Sequence, residues 1–288
     1  MLLVGNGIVC YNIPVFVNSC YLKGKTMKII DIHSHIYPDD IAQKASASVK
    51  EFYEGLGDPA MNGTESLLLE RGRQVGIEKF VVLPVAIRPD RVQHINDFIQ
   101  HRVQENPAFI PFGTVHAAMD GLMDEVERLL DLGVKGIKMH PDSQRFAIDD
   151  PRLFPMYEAM SERIPVMLHM GDKRYDYSHP ARLRKVMDLF PKLDVIAAHF
   201  GGYSMPETAQ ELLQDTSCVM DISSSRMFMA PGEAENYINL YGAERMAFGS
   251  DYPMWDPVKE VETFLQLKLT DDQMEQIAYK TAERILKL

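Results

Sequence analysis

Short apolar runs alternate with helical patterns along most of this chain. The first clear run is Lys28-Ile29-Ile30-Asp31-Ile32, which ends in His33-Ser34-His35. Further β-branched or compact apolar runs fall at 79–85, 108–115, 134–139, 165–168, 193–198, 218–222 and 245–249. Their length and composition predict buried strands. Between them lie segments with apolar residues at helical spacing. The clearest is 89–104, with Val92, Ile95, Phe98, Ile99 and Val103 on one face. The others are expected at 38–53, 64–74, 119–132, 151–162, 180–190, 206–214, 234–241, 257–267 and 271–286. Gly76 and Gly133 follow two of these as C-terminal stops, and Thr270 precedes the last as an N-cap. Eight strands alternating with helices imply βαβ units and a parallel sheet. In about 260 residues they fit a closed (β/α)8 TIM barrel of the α/β class better than an open sheet.

The segment 1–26 departs from this rhythm. It is apolar in patches but broken by Asn6, Asn12, Pro14 and Asn18, and its lysines, Lys23 and Lys25, follow the apolar part. That order is the reverse of a secretory signal. Met27 stands directly before the first strand. The expectation is an N-terminal extension over 1–26, with translation beginning at Met27, and a single barrel domain over 27–288.

The 288 residues are 46% hydrophobic and 25% charged, an ordinary globular balance, and no run is long enough to span a membrane. A formal charge of −11 argues against a nucleic-acid partner and leaves a small molecule as the expected one. A homo-oligomer is compatible with this composition. Cys10, Cys20 and Cys218 are odd in number and form no Cys-x-x-Cys, so a disulfide framework is not indicated and reducing cytoplasm is the expected compartment.

Candidate chemistry collects at the strand ends. His33 and His35 end the first strand, His140 the fourth, His169 the fifth, His199 the sixth and Asp251 the eighth. Barrel enzymes build their active sites at this C-terminal face. Side chains two apart on a strand share a face, so His33 and His35 are expected to point the same way, as are Lys138 and His140. Imidazoles and a carboxylate are ligands for zinc and similar divalent ions, and such an ion can activate water near neutral pH. His94 and His101 fall on a helix and read as surface residues; His116 and His179 lie in loops without distinguishing neighbours. Arg88, Arg145, Lys173, Arg174 and Arg226 lie in loops after the strands and hint at a carboxylate-bearing substrate, Arg145 being the first choice.

Asp-Ile-His33-Ser-His35, Met-Leu-His169, Ala-Ala-His199-Phe-Gly-Gly and Phe-Gly-Ser-Asp251-Tyr-Pro resemble the amidohydrolase superfamily. More narrowly, they resemble the amidohydrolase-related group of metal-dependent hydrolases and of aminocarboxymuconate-semialdehyde and resorcylate decarboxylases. The resemblance runs from Lys28 to Leu288. It implies metal ligation by His33, His35, His169 and Asp251, with His199 acting on the substrate and Asp251 also carrying protons. It implies one ion, zinc first, with two ions if a carboxylated Lys138 bridges them. Lys138, His140 and Arg145 are then expected at the substrate. The implied reaction is hydrolysis of a small carboxylate-bearing molecule by metal-activated water; non-oxidative decarboxylation in the same pocket is the alternative. Deoxyribonucleases sharing the His-x-His plan carry a glutamate on the fourth strand, which is absent here.

Overall fold

The computed structural model describes residues 27–288 in full and, in residues 1–26, only the backbone of four short strands. These strands pair as two antiparallel hairpins, Leu2–Val4 with Ile8–Cys10 and Tyr21–Leu22 with Lys25–Thr26. The expectation of an upstream extension concerns residues that otherwise lie outside the described ones.

The barrel strands are β1 (Ile29–Ser34), β2 (Ile77–Val82), β3 (Phe109–Pro111 and Gly113–Thr114), β4 (Ile137–Met139), β5 (Val166–Leu168), β6 (Val195–Ala197), β7 (Val219–Asp221) and β8 (Met246–Ala247). Each is parallel to the next. β3 is continuous in direction but interrupted at Phe112: its first half pairs with β2 and its second with β4. The ring closes between β8 and β1, where Ile32 N–H donates to the Phe248 carbonyl (3.0 Å) and Asp251 N–H to that of His33 (2.7 Å). Ser34 and Tyr252 form the parallel bridge across the seam. The expected (β/α)8 barrel is therefore the fold, with strands shorter than the apolar runs that encode them.

Two apolar layers follow from strand alternation. Ile30, Val81, Ile110, Met167, Ile196 and Val219 belong to the cluster inside the ring, and Ala282, Ile285 and Leu286 of the last helix join them. Ile29, Phe80, Ile137, Leu168, Val195 and Met220 face the opposite way, into the larger cluster between strands and helices. The N-terminal end of the ring is thus filled with hydrocarbon, and polar residues are left for the other end.

The predicted helices are present with boundaries shifted by at most three residues. Thr64 caps Glu65–Gln74, and Thr270 with Gln273 forms a capping box at Asp271–Glu275. The last predicted helix is interrupted by a π-helical turn at Gln276–Lys280 before Thr281–Leu286. A short helix not expected from the sequence, Pro141–Gln144, follows β4. Among the described residues no helix is long and apolar enough to cross a membrane.

Gly136, just before β4, marks where the ring is tightest. A Cβ there would lie 2.4 Å from the buried ring of Phe112 and 2.9 Å from the Pro165 carbonyl oxygen. Gly136→Ala gains a few tenths of a kcal/mol to about 1 kcal/mol from a less flexible unfolded chain. It loses more to overpacking, about 1–3 kcal/mol. Urea unfolding should show a net loss of about 1–2 kcal/mol; an unchanged midpoint would contradict this packing.

Candidate metal centre and active site

His33 sits near the end of β1, and Asp221 ends β7. Between them lies Gly249, where a Cβ would fall 2.9 Å from the His33 Cβ and 3.3 Å from the Asp221 Cβ. The missing side chain lets the two approach. His33 Nδ1 lies 2.9 Å from Asp221 Oδ2. Because a carboxylate only accepts, Nδ1 carries the proton and the Nε2 lone pair faces the barrel mouth. That Nε2 lies 3.4 Å from Asp251 Oδ1 and 3.3 Å from Lys138 Nζ.

His35 reaches the same place by a different route. Strict alternation was expected to carry it, but β1 ends at Ser34 and its pairing with β2 has register shifts, including one between Asp31 and Ser34. His35 is held instead by its N–H, which donates to the Tyr252 carbonyl (2.7 Å), and by Nδ1–H, which donates to the Leu83 carbonyl (2.7 Å). Its Nε2 lies 3.8 Å from Asp251 Oδ1. The expectation that both imidazoles face one point is met, with the loop after β1 supplying the second.

His199 and Asp251 follow their strands in left-handed backbone conformations, with φ of 61° and 56°. Such positions cost about 1–3 kcal/mol each for residues other than glycine. At His199 the strain has a visible result: Ala198 belongs to the inner layer, so His199 on a regular strand would face outward. The turn brings its ring against His33 instead, with centroids 4.8 Å apart. Its Nδ1 lies 2.9 Å from Ser223 Oγ, which itself donates to Asp221 Oδ1. Asp221 therefore orients His33 directly and His199 through Ser223. His199 Nε2 accepts from His169 Nδ1 at 3.1 Å.

A second group of donors lies beside the first. His140 stacks on His169 with centroids 3.9 Å apart and ring planes at 9°. Ser143 N–H donates to His140 Nδ1 (3.3 Å), so Nε2–H donates to the Tyr53 hydroxyl at 2.7 Å. Asp142, on the short helix after β4, has Oδ2 3.7 Å from His169 Nε2 and accepts from Ser178 Oγ (2.6 Å).

Burial governs the electrostatics. It pushes Asp251 up to about 7, against the opposing effects of the Ser224 hydroxyl and the Lys138 charge. It brings Lys138 down to about 8, against Asp221 and Asp251, and His35 down to about 3, helped by Lys138. His33, His140, His169 and His199 are all held well below the ordinary histidine range, first by burial and then by neighbouring positive charge, at His199 against the pull of Asp221. These imidazoles are neutral ligands rather than cations. Two imidazole lone pairs converging on a carboxylate repel it unless positive charge sits among them. The donors of His33, His199 and Asp251 lie within 4.8 Å of one another, as do those of His140, Asp142 and His169. Nitrogen and carboxylate donors in this arrangement fit a divalent cation.

The mouth thus gathers His33, His35, Lys138, His140, His169, His199 and Asp251, as the strand-end pattern leads one to expect. The tighter donor triads are not the expected four-ligand set, because His199 stands nearer His33 and Asp251 than the sequence pattern suggests. Arg145 is exposed and forms the left-handed end of the Pro141–Gln144 helix, with no hydrogen bond to the cluster. Arg174 packs its guanidinium over Phe52, Tyr53 and Tyr175 at 5.2–5.4 Å and is paired with Asp172. Sequence reasoning missed Asp221, Asp142, Tyr53 and Ser223. Only Asp221 carried a usable signal, since it ends a strand as the histidines do. His94 and His101 are exposed as expected, and His179 caps the helix Pro180–Leu189.

The profile of the family described as amidohydrolase matches residues 30–288. A 2-amino-3-carboxymuconate-6-semialdehyde decarboxylase of Dictyostelium discoideum is 26% identical over 204 residues, 57% of this chain and 56% of that protein. The match spans just over half the length of that relative. Two solved structures share the fold. An uncharacterised TIM-barrel protein of Bordetella bronchiseptica has a TM-score of 0.76 at 24% identity, covering 91% of this chain and 99% of its own. A dihydroxybenzoic acid decarboxylase of Polaromonas, solved with manganese and the inhibitor 2-nitroresorcinol, has a TM-score of 0.71 at 16% identity, covering 91% and 97%.

A carboxylate behind a histidine ligand typically changes metal affinity by about 10–100-fold. Asp221→Asn, which keeps one acceptor oxygen but puts an NH2 donor where His33 or Ser223 needs the other, should weaken manganese or zinc binding by about that factor in calorimetric titration. Wild-type affinity in this variant would show that Asp221 does not set the imidazoles. Neutral imidazoles converge on a carboxylate at the mouth of a parallel barrel, and the family profile covers the barrel from its first strand to its last helix. The chain belongs to the amidohydrolase family of metal-dependent enzymes.

Proposed function

We propose that the chain is a metal-dependent non-oxidative decarboxylase of a small unsaturated or aromatic carboxylic acid, acting in the cytoplasm with one bound ion. The observation that carries this reading is the deep burial of the donors at the mouth. His33, His169 and His199 are at most 2% exposed and Asp251 8%. Removing water from a carboxylate favours loss of CO₂, whereas hydrolysis needs water at the reacting carbon. The wall is also suited to a flat substrate: Phe52 stacks on Tyr175 with ring planes at 11°, and Tyr53 and Tyr203 lie edge to face. The decarboxylase of Dictyostelium discoideum supports the same choice. Hydrolysis, the first expectation from the sequence, remains the competing reading because the same residues suit it.

His33, His35, His169 and Asp251 are the proposed ligands, with zinc as the ion and manganese, present in the Polaromonas structure, as the other candidate. Such an ion would hold substrate oxygens and draw charge from the bond that breaks. Lys138 offers a second positive charge to the substrate carboxylate, and His140 holds the Tyr53 hydroxyl in place. When the C–CO₂ bond breaks, its electron pair stays on carbon and CO₂ leaves. Asp251, whose Oδ2 accepts from Ser224 Oγ–H, is placed to relay the proton that carbon takes up. His199, fixed by Ser223, faces the substrate with its Nε2 lone pair as a hydrogen-bond acceptor.

Metal-loaded protein with 2,6-dihydroxybenzoate and related acids, followed by CO₂ release in H₂¹⁸O, separates the two reactions. CO₂ release without ¹⁸O in the organic product is expected; ¹⁸O incorporation without CO₂ would make the enzyme a hydrolase. Asp251→Asn should lower turnover by about 10²–10⁴-fold with the fold retained by circular dichroism. Undiminished turnover would sink both schemes.

A further inference from the structure

Tyr203 lies in the loop after β6, beyond His199 and the Gly201-Gly202 pair. Its ring centroid is 5.8 Å from that of His169 and 5.8 Å from that of His199. Tyr53 and Phe228 complete its surroundings at 5.3 and 5.0 Å. The residue is 5% exposed, and its hydroxyl oxygen is buried with no hydrogen-bond partner among the described residues. A buried hydroxyl without a partner lowers stability, and phenylalanine would fill the same space without that cost. The hydroxyl is therefore not what holds the loop, and a group that enters the site is the partner left to it.

The buried hydroxyl of Tyr241 is also unpartnered, but that residue lies on the helix Glu233–Tyr241, against Tyr237 and Arg245. None of its ring contacts is a residue of the mouth. The two tyrosines thus share the defect and differ in location. A phenol donor left over at the mouth suits a ligand that brings an acceptor oxygen.

We infer that Tyr203 is a substrate-binding residue whose phenol O–H donates to a carboxylate or phenolate oxygen of the bound acid. The inference rests on the carboxylate reading above and adds the residue that recognises the acid from the side of the β6 loop. Tyr53 is a second phenol at the same place, already engaged by His140 Nε2–H and with its own proton to offer.

The test is calorimetric titration of manganese-loaded wild type, Tyr203→Phe and Tyr241→Phe with 2,6-dihydroxybenzoate. Tyr203→Phe should raise Kd by about 10–100-fold, the range for one hydrogen bond to a charged acceptor. Its manganese content should match wild type, and its Tm should be unchanged or higher. Tyr241→Phe should leave Kd unaltered. A wild-type Kd in Tyr203→Phe would overturn the assignment and leave the carboxylate reading standing. So would a fall in Tm with loss of manganese, which would make the hydroxyl structural. If wild type holds manganese but binds neither 2,6-dihydroxybenzoate nor related aryl and unsaturated acids, the carboxylate reading fails and this assignment fails with it.

Discussion

The closure of β8 onto β1 is the constraint on which the site depends. It sets His33 and His35, near the start of the barrel, against Asp251, more than two hundred residues later in the sequence. Backbone hydrogen bonds cross the seam at Ile32, Asp251 and His35. The buried Asp31 carboxylate reinforces it by accepting from Ser250 N–H (3.0 Å), Ser250 Oγ–H (2.5 Å) and His33 N–H (3.0 Å). Asp31 thus has a structural place at the seam, two residues before His33. Without the seam, the imidazole lone pairs and the Asp251 carboxylate would not meet.

Given the seam, Asp221 does the finer positioning. One carboxylate fixes the proton of His33 and, through Ser223, that of His199. Gly249 makes the approach possible, and the left-handed turn at His199 brings in a side chain that a regular strand would not. The mouth is therefore over-determined: glycine clearance, backbone strain and buried hydrogen bonds all act on the same few rings. Such restraint is what a catalytic site needs, since donors held in place do not reorganise when charge develops.

The eight-stranded rhythm and the strand-end histidines were legible because burial inside the ring demands compact apolar runs and because barrel sites collect at one face. Strand ends were less legible. Pro165 and Leu193 extend apolar runs beyond the residues that pair, and Phe112 interrupts β3 without a break in hydrophobicity. Parity correctly put Lys138 in the inner layer opposite Met167. It is not what places His35 or His199, where a loop and a positive φ decide. Asp142 and Tyr53 were invisible because their roles depend on contacts across 87 or more residues or on a four-residue helix with no periodicity of its own. Arg145 was chosen by proximity along the chain, but the turn that ends its helix leaves it exposed.

The central claim is that the neutral imidazoles of β1 and the loop after it hold a divalent ion together with Asp251. An anomalous-scattering map from crystals grown with manganese tests it most directly. One strong peak is predicted within about 2.0–2.3 Å of His33 Nε2, His35 Nε2 and an Asp251 oxygen, the range of nitrogen and carboxylate ligands. No peak at the mouth, or a peak held only by His140, Asp142 and His169, would contradict the account.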